Sequence, residues 1–173
     1  MKRLLTFTVV AIFLTAAFAV AEDDTAMKKS DLPQAVLKAF EKSYPQAEAT
    51  EYGKKIVNGQ TRYEIETKVG EVEKDFVYLP DGTLLQIEED MPVKSLPEVI
   101  VKSVKKAYPE GEIDEADKIT RGDKIEYEIV VEVDEIDYEL LISSDGKILS
   151  SVQVGEDEDE PGDVDENDHE DND

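Results

Sequence analysis

Cysteine and tryptophan are absent from this 173-residue sequence, and histidine occurs once, at position 169. Without cysteine the chain can form no disulfide, no thiolate nucleophile and no thiolate metal site. His169 lies in an acidic stretch at the chain end, so a serine elsewhere has no histidine to act as its base. Glycine-rich phosphate loops and HExxH pairs are also missing. We therefore predict a protein that is not an enzyme and binds no cofactor.

Basic residues are few in comparison with acidic ones. Asp and Glu number 43 and Lys and Arg number 19, which gives a net charge of −24. Such a chain repels nucleic acid and anionic lipid headgroups, so neither is an expected partner. The composition favours a basic or partly apolar protein or peptide, with weak binding of divalent cations as a further expectation.

A single long apolar run stands at the start of the chain. Two basic residues precede an apolar stretch over residues 4–20, and Ala19-Val20-Ala21 offers a small-residue cleavage site. This order predicts a signal peptide over residues 1–21 and a secreted or periplasmic protein. The alternative is an uncleaved membrane anchor. Residues 22–29 are predicted to be a flexible N-terminus.

The other end of the chain is strongly acidic. Residues 156–173 hold twelve acidic residues and no Lys or Arg. With one valine to bury, this segment predicts a disordered acidic tail over residues 155–173. An EF-hand loop is not formed, because it needs glycine at its sixth position and glutamate at its twelfth. We expect no specific metal site, only weak cation association at Asp163, Asp165, Asp168 and Asp171.

The sequence between these ends contains one phrase twice. LPQAVLKAFEKSYPQAE begins at Leu32, LPEVIVKSVKKAYPEGE begins at Leu96, and an offset of 64 residues aligns the segments after both phrases without a gap. This self-similarity predicts two tandem repeats over residues 30–88 and 94–154. A short linker over residues 89–93 joins them.

Each repeat opens with a helix and continues as strands. Apolar residues recur at helical spacing in both phrases, and a Tyr-Pro pair ends each helix. The remainder alternates at period two between Asn-Gly and Asp-Gly turns. We predict an α+β fold in which each repeat packs one helix on a four-stranded antiparallel sheet. The predicted strands span residues 49–57, 60–69, 72–79, 83–88, 113–121, 124–133, 136–143 and 147–152.

Two-residue turns set the register of these strands and therefore the face on which each side chain lies. They place Tyr63 opposite Tyr78 and Tyr78 opposite Leu85, so that one apolar face packs on the helix. The opposite face, called the outer face below, is acidic with apolar residues toward one side. Two hypotheses remain open: a solvated face that packs the repeats or a dimer together, or a partner-binding surface. The candidate partner-binding residues are Glu64, Glu66, Val77, Leu79, Leu84, Glu126, Glu128, Val130, Leu141 and Ile148.

The two phrases, the YEIE segment that starts at Tyr63 and the Asp-Gly turns together resemble the PepSY-like family. The resemblance is to the branch grouped with the secreted beta-lactamase inhibitor proteins, and it covers residues 32–149. It implies two small α+β units side by side, with a binding or inhibitory role outside the cytoplasm. The short turns and the absence of cysteine depart from the beta-lactamase inhibitors and argue against beta-lactamase as the target.

The predicted function is a secreted, non-catalytic binding module that engages a protein or peptide, such as a secreted hydrolase, through the outer face. The alternative is an extracytoplasmic calcium or mineral binder that acts through the acidic tail. Removal of the tail would abolish binding only in the second case.

Overall fold

The computed structural model of the protein describes residues 25–70 and 72–154. The predicted signal peptide and acidic tail lie outside these residues. The described part contains helices α1 (Gln34–Ser43) and α2 (Glu98–Ala107), each preceded by a short 3-10 turn. None of its helices is long and apolar enough to span a membrane. Its strands are β1 (Thr25–Ala26), β2 (Ala49–Val57), β3 (Gln60–Val69), β4 (Val72–Tyr78), β5 (Leu84–Asp90), β6 (Glu112–Arg121), β7 (Lys124–Val133), β8 (Ile136–Ser143) and β9 (Ile148–Val154).

All nine described strands form one antiparallel sheet in the order β1 to β9. The predicted pair of separate four-stranded sheets is therefore corrected, because β5 pairs with β6 and joins the repeats. This pairing runs from Ile87 opposite Thr120 to Asp90 opposite Asp117. Strand β5 continues to Asp90, into the segment that we predicted to be a linker.

The segment predicted to be a flexible N-terminus also contributes to the sheet. Thr25 and Ala26 pair with Lys54 and Gly53 of β2. The backbone N–H of Met27 donates a hydrogen bond of 2.8 Å to the carbonyl oxygen of Tyr52. These contacts extend the sheet by one short edge strand.

Both helices pack on the same face of the sheet and bury its apolar side chains, as the alternation predicted. In the first repeat, Phe40 of α1 packs edge to face on Phe76 of β4, with ring centroids 5.4 Å apart. In the second repeat, Ile100 and Val104 of α2 are fully buried against the side chains of β7 and β8. The two cores are Leu32, Val36, Leu37, Phe40, Ile65, Phe76 and Tyr78, and Leu96, Ile100, Val104, Ala116, Tyr127, Ile129, Val131, Leu140 and Ile142.

The Asp-Gly turns lie directly beneath the helices. Gly82 has a φ of +86°, and a Cβ atom there would stand 2.6 Å from the carbonyl oxygen of Ala35 in α1. Gly146, which is 64 residues further on, has a φ of +87°, and its Cβ would stand 2.7 Å from Cγ2 of Val99 in α2. Glycine is required at both turns by the backbone conformation and by the approach of the helix.

The predicted register is confirmed in the middle of the sheet and shifts at one point. Tyr63 lies opposite Tyr78, as the two-residue turn predicted. A bulge in the β4–β5 pairing then places Leu84, and not Leu85, opposite Tyr78. The second repeat has the equivalent bulge, which places Ile148 opposite Ile142.

Candidate functional site

The outer face of the sheet buries charged side chains although neither α1 nor α2 covers it. Glu88 and Asp117 are each 5% exposed, and Glu126 is 2% exposed. Ile119, opposite Glu126 in β7 and Glu88 in β5, is 1% exposed. A buried carboxylate is destabilising unless it is paired or hydrogen-bonded, so the partners of these groups decide what the face can do.

Some of the carboxylates are neutralised within the chain. Nζ of Lys55 lies 3.1 Å from Oε2 of Glu64, and both side chains are largely buried. Glu126 accepts a hydrogen bond of 2.6 Å from Nη1 of Arg121, and its other oxygen lies 2.7 Å from Nζ of Lys124. Arg121 also donates from Nε to Oε1 of Gln86 at 2.9 Å. Arg121 therefore links the second repeat to the first.

A second set of carboxylates forms no ion pair with any residue that the structure describes. It runs across the middle of the sheet through Asp75, Glu88, Asp117 and Glu128. Burial, reinforced by neighbouring carboxylates, raises the pKa of Asp75 to about 8, of Glu88 to about 7 and of Glu128 to about 9. Among these groups Glu88 accepts a hydrogen bond of 3.0 Å from Nε2 of Gln86. The set is an uncompensated acidic row in which protons stand in for cations.

The seam between the repeats adds a pair of acids to this row. Asp90 of β5 lies opposite Asp117 of β6, and their carboxyl groups form a hydrogen bond. Such a bond requires a proton on one of the two groups. Burial raises the pKa of both, and the nearby charge of Glu88 raises that of Asp117 further.

Glu139 of β8 is a buried carboxylate with an unpartnered oxygen. It is 7% exposed, and its Oε1 has no hydrogen-bond partner in the described part of the chain. It lies opposite Val130 and Val152, and burial raises its pKa. Its charge acts on Glu128 of the neighbouring strand, so its carboxylate borders the acidic row.

Comparison of the two repeats explains why the row is uncompensated. The offset of 64 residues makes Glu128 the counterpart of Glu64, and Ile119 the counterpart of Lys55. The first repeat therefore provides a lysine to its buried glutamate, whereas the second repeat provides isoleucine. The buried glutamate is retained in the second repeat while its cation is lost.

Three exposed carboxylates at the far end of the same face also come together. The ligand atoms of Asp114, Glu132 and Asp137 lie within 4.8 Å of one another. Since all three side chains are exposed, water can solvate them individually. This group is therefore a weaker candidate for a cation than the buried row.

Most of the predicted partner-binding residues lie on the outer face, but three do not follow the prediction. Leu79 lies in the turn after β4, where its N–H donates to the carbonyl of Thr83. The bulges place Leu84 opposite a core residue and let Ile148 pack against the core of the second repeat. The residues that share the outer face are Glu64, Glu66, Val77, Glu126, Glu128, Val130 and Leu141.

Sequence reasoning did not select Asp75, Glu88, Asp90, Asp117 or Glu139 as site residues. The strand alternation of each repeat places Asp75 and Glu139 on the outer face, which was a usable signal. The approach of Glu88 and Asp90 to Asp117 depends on the pairing of β5 with β6, for which the sequence carries no local signal.

The fold and this face are those of a small secreted-type α+β protein built by duplication. A family model described as beta-lactamase-inhibitor-like, PepSY-like matches residues 19–86 and again residues 80–150. The chain belongs to this PepSY-like family, as its repeated phrase indicated. No curated protein matches the chain in sequence.

Solved structures of similar fold come from Bacteroides species. A periplasmic protein from Bacteroides eggerthii DSM 20697 is 15% identical, with a TM-score of 0.62 over 70% of this chain and 88% of its own. A BLIP-like protein from Bacteroides fragilis NCTC 9343 is 20% identical, with a TM-score of 0.59 over 75% of this chain and 91% of its own. At these identities the likeness concerns the fold. The predicted location, secreted or periplasmic, agrees with the description of the first relative.

Proposed function

We propose that the protein is a non-catalytic, extracytoplasmic binding module whose outer face engages a basic protein or peptide. The observation that carries this proposal is the acidic row through Asp75, Glu88, Asp117 and Glu128, which is buried and forms no ion pair within the described residues. A cationic side chain of a partner would supply the missing charge, because buried carboxylates need a paired cation.

The surroundings of the row suit a protein partner. Val77, Val130 and Leu141 lie on the same face and are partly exposed. Apolar side chains beside charged groups provide the combination of desolvation and charge complementarity that protein interfaces use. The family description, beta-lactamase-inhibitor-like, supports a protein as the partner and inhibition of a secreted hydrolase as one form of the function.

The proposal is tested by affinity capture from the secreted fraction of the source, with wild-type protein and charge variants as baits. The test bait combines Glu66→Gln and Glu128→Gln, which avoids Glu64 and Glu126 because these already hold internal cations. The control bait combines Glu48→Gln and Glu110→Gln, which removes the same charge from exposed positions.

We expect a discrete protein that the wild type and the control retain and that the test bait loses. The same protein should also be retained by a bait that ends at residue 155, without the acidic tail. Equal capture by the test and control baits would contradict binding through the outer face. Capture that requires the tail and disappears in moderate salt would instead indicate nonspecific attraction of basic proteins.

A further inference from the structure

We propose that the outer face holds a calcium site formed by Asp90, Asp117 and Glu128, with Glu139 at its border. This site is separate from the acidic tail, and it does not depend on the identity of the protein partner. It lies on β5, β6, β7 and β8, so it is completed only where the two repeats join.

The first argument is the geometry of the three carboxylates. Asp117 lies opposite Asp90 on one side and opposite Glu128 on the other, so the three form one row across adjacent strands. Directly opposed side chains in an antiparallel sheet have Cβ atoms about 5 Å apart. The carboxyl groups of Asp90 and Asp117 are already within hydrogen-bonding distance. Such a spacing suits two neighbouring oxygen ligands of one Ca²⁺, whose oxygen distances are about 2.3–2.6 Å.

The second argument is Glu139, which shows independently that a positive group is missing. Its Oε1 is buried and has no hydrogen-bond partner among the described residues. An unpartnered carboxylate oxygen at 7% exposure is strongly unfavourable unless a cation or donor reaches it. Because its charge acts on Glu128, a cation bound there would relieve both groups.

The third argument comes from the first repeat, which contains an internal example of the required charge. Nζ of Lys55 stands 3.1 Å from Glu64, the counterpart of Glu128. Ile119 replaces this lysine in the second repeat. A cation from solution would therefore restore at Glu128 the neutralisation that the first repeat obtains from its own chain.

The ligand chemistry selects calcium. The site offers carboxylate oxygens only, and the chain has no cysteine and a single histidine at position 169. Such a donor set suits hard cations and not zinc or copper. Ca²⁺ accepts six to eight oxygens in flexible geometry and takes water for the rest, whereas Mg²⁺ demands near-octahedral geometry at shorter distances. Carboxylates that project from four strands of a sheet fit the more tolerant ion.

The test is a titration of the full-length secreted chain, tail included, with CaCl₂ at pH 7.5 and 0.15 M salt. Amide ¹H–¹⁵N spectra follow each residue, so that binding at the sheet is read separately from association with the tail. We expect saturable shifts centred on Asp90, Asp117, Glu128 and Glu139. MgCl₂ at the same concentrations should give much smaller shifts at these residues.

Two site variants and one control accompany the titration. Asp117→Asn should weaken calcium binding at the sheet by at least about tenfold, and Glu139→Gln should weaken it less. Asp137→Asn, in the exposed group at the end of the face, should leave it unchanged. The proposal is overturned if the shifts occur only in the tail or at Asp114, Glu132 and Asp137. Unchanged binding in folded Asp117→Asn and Glu139→Gln would overturn it equally, and equal shifts with MgCl₂ would overturn the choice of calcium.

Failure of the calcium site and failure of the proposed function are distinguishable. The titration contains no protein partner, and the capture experiment is read from the retained protein in buffer with a chelator. Binding of calcium without partner capture would leave the cation site standing alone.

Discussion

Asp90 and Asp117 face each other across the seam between the two repeats, and their carboxyl groups share a hydrogen bond. Asp90 belongs to the last strand of the first repeat and Asp117 to the first strand of the second. The seam is therefore cohesive while one of the two acids holds a proton. It becomes repulsive when both are ionised, unless a cation takes the place of the proton.

The acidic row predicts that stability falls as the pH rises. Burial raises the pKa of Asp75 from 3.8 to about 8 and of Glu128 from 4.5 to about 9. A raised pKa means that the folded state keeps its proton where the unfolded chain has lost it. Unfolding then releases protons, and the free energy of unfolding decreases from about pH 4.5 to about pH 9. Urea unfolding in calcium-free buffer should give a higher midpoint at pH 5 than at pH 8.5, and the reverse order would refute this account.

Equivalent glutamates in the two repeats should respond oppositely to the same substitution. At pH 8, Glu128→Gln removes a buried uncompensated acid and should raise the free energy of unfolding by on the order of 1 kcal/mol. Glu64→Gln breaks the buried pair with Lys55 and should lower it by roughly 3 kcal/mol. Denaturant unfolding of both variants measures the two signs. Two changes of the same sign would show that the repeats do not differ in compensation.

The turn beneath α1 predicts a strong dependence on glycine. Gly82→Ala should lower the free energy of unfolding by about 3 kcal/mol, because the new Cβ meets the backbone of Ala35 and the φ is positive. The control is Gly59→Ala, where φ is +76° and no atom lies within 4 Å of the new Cβ. That change should cost only about 1 kcal/mol for the backbone conformation. Equal losses in thermal or denaturant unfolding would show that the helix yields to the turn.

The aromatic contact between α1 and β4 predicts the largest loss of stability in the first repeat. Phe40 is 4% exposed, and its ring packs on Phe76 and Tyr44. Phe40→Ala should lower the free energy of unfolding by about 3–5 kcal/mol, since it leaves a cavity beneath the helix. Lys38→Ala on the exposed side of α1 should change it by less than about 0.5 kcal/mol. A loss below about 1 kcal/mol for Phe40→Ala would mean that the cavity collapses without consequence.

The repeats, the helices and the strands within each repeat could be predicted because their signals are local. Tyr-Pro ends a helix, and an Asn-Gly or Asp-Gly pair fixes a turn and the register of the two strands that flank it. The register of Tyr63 with Tyr78 followed directly from such a turn. The bulge beside Tyr78 did not, because one extra residue leaves no mark in the alternation. This is why Leu84 and Ile148 were assigned to the outer face.

The pairing of β5 with β6 was beyond the sequence for a different reason. No turn joins these strands, since α2 lies between them in the chain, and their register depends on how the two repeats pack. The acid pair at Asp90 and Asp117 exists only through this register. The outer face was thus predicted as an acidic surface, but its most unusual contact was not.

The sequential strand order has a consequence for how the molecule forms. Each strand of the sheet pairs with the strand that precedes it in the chain, so each step of assembly closes a short loop. Short loops lose little entropy on closure, and contacts between sequence neighbours are associated with rapid folding. A polypeptide that emerges N-terminus first can therefore add one strand after another to a growing edge. The first half offers a folded template before the second half has arrived.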